Sequence, residues 1–315
     1  MRRGRGAILL ALVGTLAALA CCAPGAALAA ESPKQGPFTG QIEIGGGRRL
    51  YLRCAGSGSP TVIMDSGIHD SSEPWTLTQT EYPVPASPSV FRGVSRFTHV
   101  CIYDRPGTIR YTSPPTLTTR STPLPMRRTA QNEASDLHRL LMRAGLRAPV
   151  VIVAHSMAGM IDRYFASKYR REVRGMVLVD AFGPAIKRLM GRFWPRYDHL
   201  LNFPGTPLER EPGWETLDID GAICAVQRAR PLAKMPLAVI SKTEQFALVP
   251  SFPTDVARRL LQIWPIAQNL LVPLEPQTPQ ILVTGSDHYV QIRDPDLTTS
   301  VIRLIFDRVR SLARP

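Results

Sequence analysis

The chain reads as an α/β protein, a mostly parallel sheet with helices on both faces. Three observations predict this. Short apolar runs of strand length recur at Thr61–Met64, Thr98–Tyr103, Val150–Ala154, Met176–Val179, Pro236–Ile240 and Ile281–Thr284. Amphipathic stretches alternate with these runs, the rhythm of parallel strands joined by crossover helices. A hydrophobic content of 44% over 315 residues is ample for the buried core of one large domain.

Taken in order, residues 1–29 read as a secretory signal peptide outside the fold. Arg2, Arg3 and Arg5 form a positive n-region, Ala7–Ala20 is apolar or small throughout, and Ala27-Leu28-Ala29 is a small-x-small cleavage site. Cys21 and Cys22 raise a lipoprotein alternative, although Ala18-Leu19-Ala20-Cys21 is a poor lipid-attachment box. The apolar stretch also permits an uncleaved anchor. Export implies an oxidising compartment in which cysteines can pair. Residues 30–40 read as a flexible lead, and 41–315 as one domain.

Gln41–Ile44 and Arg49–Cys54 alternate about Gly45-Gly46-Gly47, a hairpin. Gly56–Pro60 breaks it before the buried run Thr61–Met64. A loop or short helix leads to Thr98–Tyr103, and 112–126 is a polar, proline-containing loop. Thr129 caps a helix whose Leu137, Leu140, Leu141 and Ala144 share a face, with Gly145 as its stop. Residues 181–235, with Trp194, Trp214 and several prolines, break the strand–helix rhythm and read as an insertion over the sheet's edge. Asp294-Pro295 opens a terminal helix whose Leu297, Val301, Leu304 and Ile305 point inward.

The charge is lopsided, 38 Lys+Arg against 25 Asp+Glu for a formal net of +13. No run of five basic residues and no nucleic-acid motif accompanies it, so a nucleic-acid partner is not expected. The excess reads as a solvated arginine-rich surface, with peripheral contact to an anionic cell envelope as the alternative.

Three polar side chains stand just past strand ends: Ser156, Asp180 and His288. Active groups of such sheets collect at those carboxyl ends. After Ser156, Met157, Met160, Ile161, Tyr164 and Phe165 fall at helical spacing. Strand, tight turn and helix is the setting of a nucleophile elbow, where small neighbours (here Ala154 and Ala158) let the turn lift the hydroxyl above the sheet. The bland alternative is an ordinary turn with an incidental serine. A serine hydroxyl needs a base beside it. His288 is the best candidate, since it alone among six histidines leaves the last strand on a short loop before the terminal helix. His138 reads as surface, His99 as strand, His199 as insertion, and His155 as packing beside the elbow. The acid is Asp180, with Glu244 as the alternative; Asp287 is less favoured, and Asp104 with Arg105 reads as structural support. No metal-ligand spacing is visible.

Four stretches together resemble the α/β-hydrolase fold family: Pro60–Gly67, Tyr103-Asp104-Arg105-Pro106-Gly107, His155–Gly159 with its strand, and Gly285-Ser286-Asp287-His288-Tyr289. The likeness runs from about residue 41 to the C-terminus. It is greatest to secreted serine esterases, which share the Cys-x-Gly-x-Gly-x-Pro-Thr-Val run at Cys54–Val62. The resemblance implies a mostly parallel eight-stranded sheet and a lid formed by the insertion. It implies an oxyanion hole from the Met157 and Ile68 N–H groups, with Gly67 and His69 against substrate; a solvated loop histidine is the other reading of His69. It also implies that Cys54 and Cys101 lie on neighbouring antiparallel strands and form a disulfide, or else remain buried thiols, with Cys224 single. The sequence departs from the family pattern at Ala154 and Ala158, which stand where glycines are usual, and at Asp287, where glycine is frequent. No clear Asp follows the 236–240 strand, the family's common acid position.

The expected function is a secreted serine hydrolase that cleaves small-molecule or lipid-like carboxylic esters through an acyl-serine intermediate, without cofactor or metal. The alternatives are an amide, peptide or lactone hydrolase on the same triad, or a non-catalytic binding protein on a hydrolase scaffold. Dehalogenase and epoxide-hydrolase chemistry would need a carboxylate at position 156.

Overall fold

The computed structural model describes residues 36–78, 87–146 and 148–312. The expected signal peptide, 1–29, lies outside them. The strands are β1 (Phe38–Gly45), β2 (Arg48–Ala55), β3 (Thr61–Asp65), β4 (Val100–Tyr103), β5 (Ile109–Arg110), β6 (Thr116–Leu117), β7 (Val150–His155), β8 (Val173–Val179), β9 (Leu237–Lys242) and β10 (Gln280–Val283). Eight form one sheet in the order β1-β2-β4-β3-β7-β8-β9-β10. Only the β1–β2 and β2–β4 pairings are antiparallel; the other five are parallel. The mostly parallel eight-stranded sheet is as expected.

Strand alternation splits the core. Val150, Ile152 and Ala154 of β7 face α2 (Ala130–Arg143) and α3 (Ala158–Lys168), where Leu137, Leu140 and Phe165 are buried. Val151 and Val153 face α1 (Val90–Ser95) and the terminal helix, where Val94, Ile302 and Ile305 are buried. Thr129 caps α2 as expected, its side chain accepting from the Asn132 N–H in a reciprocal capping box.

Several boundaries differ from the sequence reading: β8 begins at Val173 rather than Met176, and β4 at Val100 rather than Thr98. The lead does not extend to residue 40: β1 begins at Phe38, opposite Cys54, with Gly40 opposite Leu52. Pro37 and Gly40 hide that start, because neither supplies the alternation that marks a strand. The polar loop at 112–126 also contains β6, paired with β5.

Cys54 and Cys101 sit directly opposite each other in the β2–β4 register and are joined by a disulfide across a sequence separation of 47. Cys224 is free. Cys54, His99 and Cys101 approach one another closely enough to suggest a metal cluster, but sulfurs joined in a disulfide are no longer thiolate ligands.

Between β8 and β9, three helices replace a single crossover: α4 (Ala185–Met190), α5 (Trp194–Asn202) and α6 (Ile219–Arg228). Their Ile186, Trp194, Tyr197 and Ile223 join Met157, Met160 and Ile161 and, from α7 (Thr254–Asn269), Leu260 and Trp264 in a third cluster. After β10, the short α8 (Val290–Arg293) precedes α9 (Pro295–Leu312). Among the described residues, no helix is long and apolar enough to cross a membrane.

Candidate active site

β7 ends against a turn that carries Ser156 at a φ of 52°. A side chain in this left-handed region is strained, and the surroundings must hold it there. The Ser156 N–H donates to the Val179 carbonyl at 3.1 Å, and its own carbonyl accepts from the Gly159 and Phe182 N–H groups at 2.9 and 2.7 Å. Ala154 and Ala158 are buried at the two flanks, so alanine is small enough here. Gly159 is not replaceable in the same way: a Cβ there would lie 2.7 Å from the Ala181 Cβ.

Asp180, just past β8, has a φ of 41°. Its N–H donates to the Ile240 carbonyl at 2.7 Å, which ties this strand end to β9. The carboxylate is fully buried. Its Oδ2 accepts from His288 Nδ1 at 2.6 Å, and its Oδ1 accepts from Trp264 Nε1 at 2.8 Å and the Lys242 N–H at 3.2 Å. Glu244, the alternative acid, is exposed and accepts from the neighbouring Thr243 hydroxyl instead. The sharp turn past β8 aims Asp180 at His288, whereas the chain after β9 carries Glu244 into solvent.

The His288 ring packs among Phe246, Trp264 and His155, with centroids 4.9, 5.7 and 4.7 Å away. Its backbone carbonyl accepts from His155 Nε2 at 2.9 Å. Burial, and then the nearby His288 charge, hold His155 well below the usual imidazole pKa, so it is a neutral donor. With Nδ1 donating to Asp180, His288 Nε2 is left as the acceptor. No hydrogen bond joins Ser156 Oγ to His288 among the described residues, and such contacts often tighten only around substrate.

The loop after β3 is held by buried charge. Arg105 donates to Asp65 Oδ1 at 2.5 Å, to the Ser66 carbonyl at 2.9 Å, to the Gly67 carbonyl at 2.5 Å and to Glu215 Oε1 at 2.7 Å. Glu215 also accepts from the His69 N–H. Because a trans peptide is planar, turning the Gly67 carbonyl toward Arg105 turns the Ile68 N–H the opposite way. Among the described residues, neither the Ile68 N–H nor the Met157 N–H has an acceptor.

Ile68, His69, Ser156 and His288 line one cavity of about 230 Å³ with largely apolar walls, including Phe182, Leu201, Phe246 and Phe252. Tyr197, Leu200 and Leu201 bring the 181–235 segment into that lining. Gly67, expected against substrate, is not part of it. A Cβ there would come within 3.1 Å of the Ser156 Cβ, so its role is to let the loop pass under the serine. His69 stacks on Trp214 at 4.1 Å, and its Nε2 donates to the Leu201 carbonyl at 2.8 Å. Burial lowers its pKa.

Sequence reasoning missed Trp264, Glu215 and a cluster at the cavity wall. There Asp70 Oδ1 accepts from the hydroxyls of Tyr111 at 2.6 Å and Tyr289 at 3.3 Å. The positions of Asp70 beside His69 and of Tyr289 beside His288 were the available signals.

A sheet of this order, with a strained serine and an acid–imidazole pair at its carboxyl edge, defines a class of scaffold. The chain belongs to the Alpha/beta hydrolase family, whose model matches residues 56–309. It is 26% identical over 251 residues to the uncharacterized protein YqjL of Bacillus subtilis, covering 77% of this chain and 81% of that protein. It is also 28% identical over 170 residues to an uncharacterized Schizosaccharomyces pombe protein, a match that covers 47% of this chain but only 29% of the yeast protein. Among solved structures, a thermophilic esterase from Thermogutta terrifontis is similar with a TM-score of 0.55 at 17% identity, covering 87% of this chain and 98% of that one. A Bacillus anthracis bromoperoxidase reaches 0.52 at 14%, covering 86% and 100%. At such identities these structures share the fold alone.

Proposed function

We propose that the protein is an exported serine hydrolase that cleaves carboxylic esters, with Ser156 as nucleophile, His288 as base and Asp180 as the acid that orients it. One observation carries the reading. The His288 imidazole is hydrogen-bonded through Nδ1 to a buried carboxylate and shares a cavity with a serine held at positive φ.

Ser156 Oγ adds to the ester carbonyl carbon while His288 Nε2 takes its proton. Asp180 keeps the productive tautomer and stabilises the imidazolium. The oxyanion is received by the unpartnered N–H groups of Met157 and Ile68. Collapse expels the alcohol, which His288 protonates. His288 then deprotonates a water that releases the acid and restores the serine. Membership of a hydrolase family and the apolar cavity support this reading, and the 181–235 segment serves as its lid.

A phosphonate probe is expected to add one covalent adduct, visible by mass spectrometry, to the native protein and none to Ser156→Ala. Equal labelling of both would end the reading. Rates on p-nitrophenyl esters against aminoacyl anilides separate an esterase from an amidase. Export predicts a mature N-terminus at Ala30, which N-terminal sequencing of the secreted material checks.

A further inference from the structure

The catalytic reading uses Ser156, His288, Asp180 and two backbone donors, and leaves one buried carboxylate of the same cavity without a task. Asp70 is 6% exposed and lines the cavity with Ser156 and His288. Its Oδ1 already accepts from two tyrosine hydroxyls. Its Oδ2 accepts no hydrogen bond from any described residue. The permanent cation that acts on it, Arg105, is engaged by Asp65 and Glu215. His69 and His155 are kept neutral by burial. A carboxylate is acceptor-only, and a buried one without a cation against it is a costly arrangement. The remaining cavity walls are largely apolar and would suit an aliphatic portion beside a donor.

We infer that Asp70 is a specificity determinant: its free Oδ2 receives a protonated amine of the substrate, so the preferred substrates are amine-bearing esters with an aliphatic portion. This rests on the esterase reading for the word ester, but the binding preference is independent of turnover. A hydroxyl would also donate to Oδ2, yet only an ammonium answers the charge, and charge-assisted hydrogen bonds are the stronger kind.

The test is equilibrium binding of hexylammonium and of 1-hexanol, by calorimetry, to the mature chain. At pH 7.5 the native protein is expected to bind hexylammonium about ten- to a hundredfold more tightly than the alcohol, the span of a hydrogen bond to a charged group. Asp70→Asn is expected to abolish that preference. Equal affinities for the two probes in the native protein, or an unchanged preference in Asp70→Asn, overturn the inference. Should Asp70→Asn fail to fold, pH provides the second arm. Burial raises Asp70 to about 6, against the hydrogen bond from Tyr111, the His288 and Arg105 charges and the Tyr289 hydroxyl, which lower it. The preference should therefore fall by about tenfold or more between pH 7.5 and pH 5. That arm is run in His288→Gln, so that charging of the adjacent imidazole is not read as protonation of Asp70. A preference as large at pH 5 as at pH 7.5 overturns the inference there. Phosphonate labelling of Ser156, measured separately, reports on the esterase reading alone.

Discussion

Two systems of buried carboxylates flank Ser156, and they are satisfied in opposite ways. On the oxyanion side, Asp65 and Glu215 close on the permanent cation of Arg105, with N–O distances of 2.5 and 2.7 Å. On the base side, Asp180 accepts from Trp264 and a backbone amide, both neutral, and from His288. The first arrangement cancels charge at all times and so makes a fixed scaffold for the 66–68 loop. The second solvates a carboxylate without cancelling it, and its charge is answered only when His288 takes up a proton. The same residue type thus serves as frame on one side of the cleft and, in the proposed mechanism, as the acid that orients the base on the other. The difference lies in whether the partner's charge is permanent.

The sharpest way to break this contrast is Asp180→Asn. An amide can retain a hydrogen bond to Trp264, but it favours the wrong tautomer of His288 and cannot answer an imidazolium. A fall in kcat of about 10⁴-fold on p-nitrophenyl esters is expected. Glu244→Gln is expected to stay within about twofold, as surface changes do. If the Glu244 variant were the more damaged, the assignment of the acid would be wrong.

Arg105→Leu tests the other side. It leaves Asp65 and Glu215 buried with no cation, which is expected to destabilise the fold by about 3–5 kcal/mol. Urea unfolding followed by tryptophan fluorescence measures this. An unchanged midpoint would mean that the 66–68 loop does not depend on the charge frame.

The disulfide lies outside both systems, near the start of β4 and away from the strand ends that carry the site. Cys54→Ala with Cys101→Ala is expected to lower stability by about 2–4 kcal/mol and to leave kcat/KM unchanged. Mass mapping of the non-reduced native protein should find the cross-linked peptide pair; two free thiols there would remove the premise. A loss of activity as large as the loss of stability would show that the two sides are not insulated from the rest of the fold.

What could be read before the structure follows the same line. Ser156 and Asp180 stand directly after short apolar runs and His288 on the short loop that leaves the last one, so strand ends announce them, and the β2–β4 pairing of Cys54 with Cys101 followed from the family resemblance. Arg105 was legible as structural support, but the partners of these supports were not. Glu215 meets Arg105 across 110 residues, from a stretch with no helical or strand period. Trp264 meets Asp180 across 84 residues, and on the apolar face of α7 its ring looks like ordinary core packing. The tyrosines on Asp70 arrive from 41 and 219 residues away. Periodicity reports which face of an element is buried, and it says nothing about which donor will reach a buried acceptor.

The smallest expected effect separates packing from hydrogen bonding at Trp264. The indole lies edge-on to Phe246 at 4.8 Å and donates Nε1–H to Asp180 Oδ1. Trp264→Phe retains a ring but removes the donor, leaving that oxygen only the Lys242 N–H at 3.2 Å. A net hydrogen bond to a charged group is worth about 1.5–3 kcal/mol when fully lost. With a second donor in place, the lower end applies, and kcat should fall by about tenfold with KM little changed. Because Trp264 is argued to act only through Asp180, the same substitution in an Asp180→Asn background should cost far less than tenfold, the non-additivity expected of groups in contact. Equal losses in both backgrounds would mean that Trp264 shapes the cavity rather than the acid, and the base side would then rest on two donors to Asp180 instead of three.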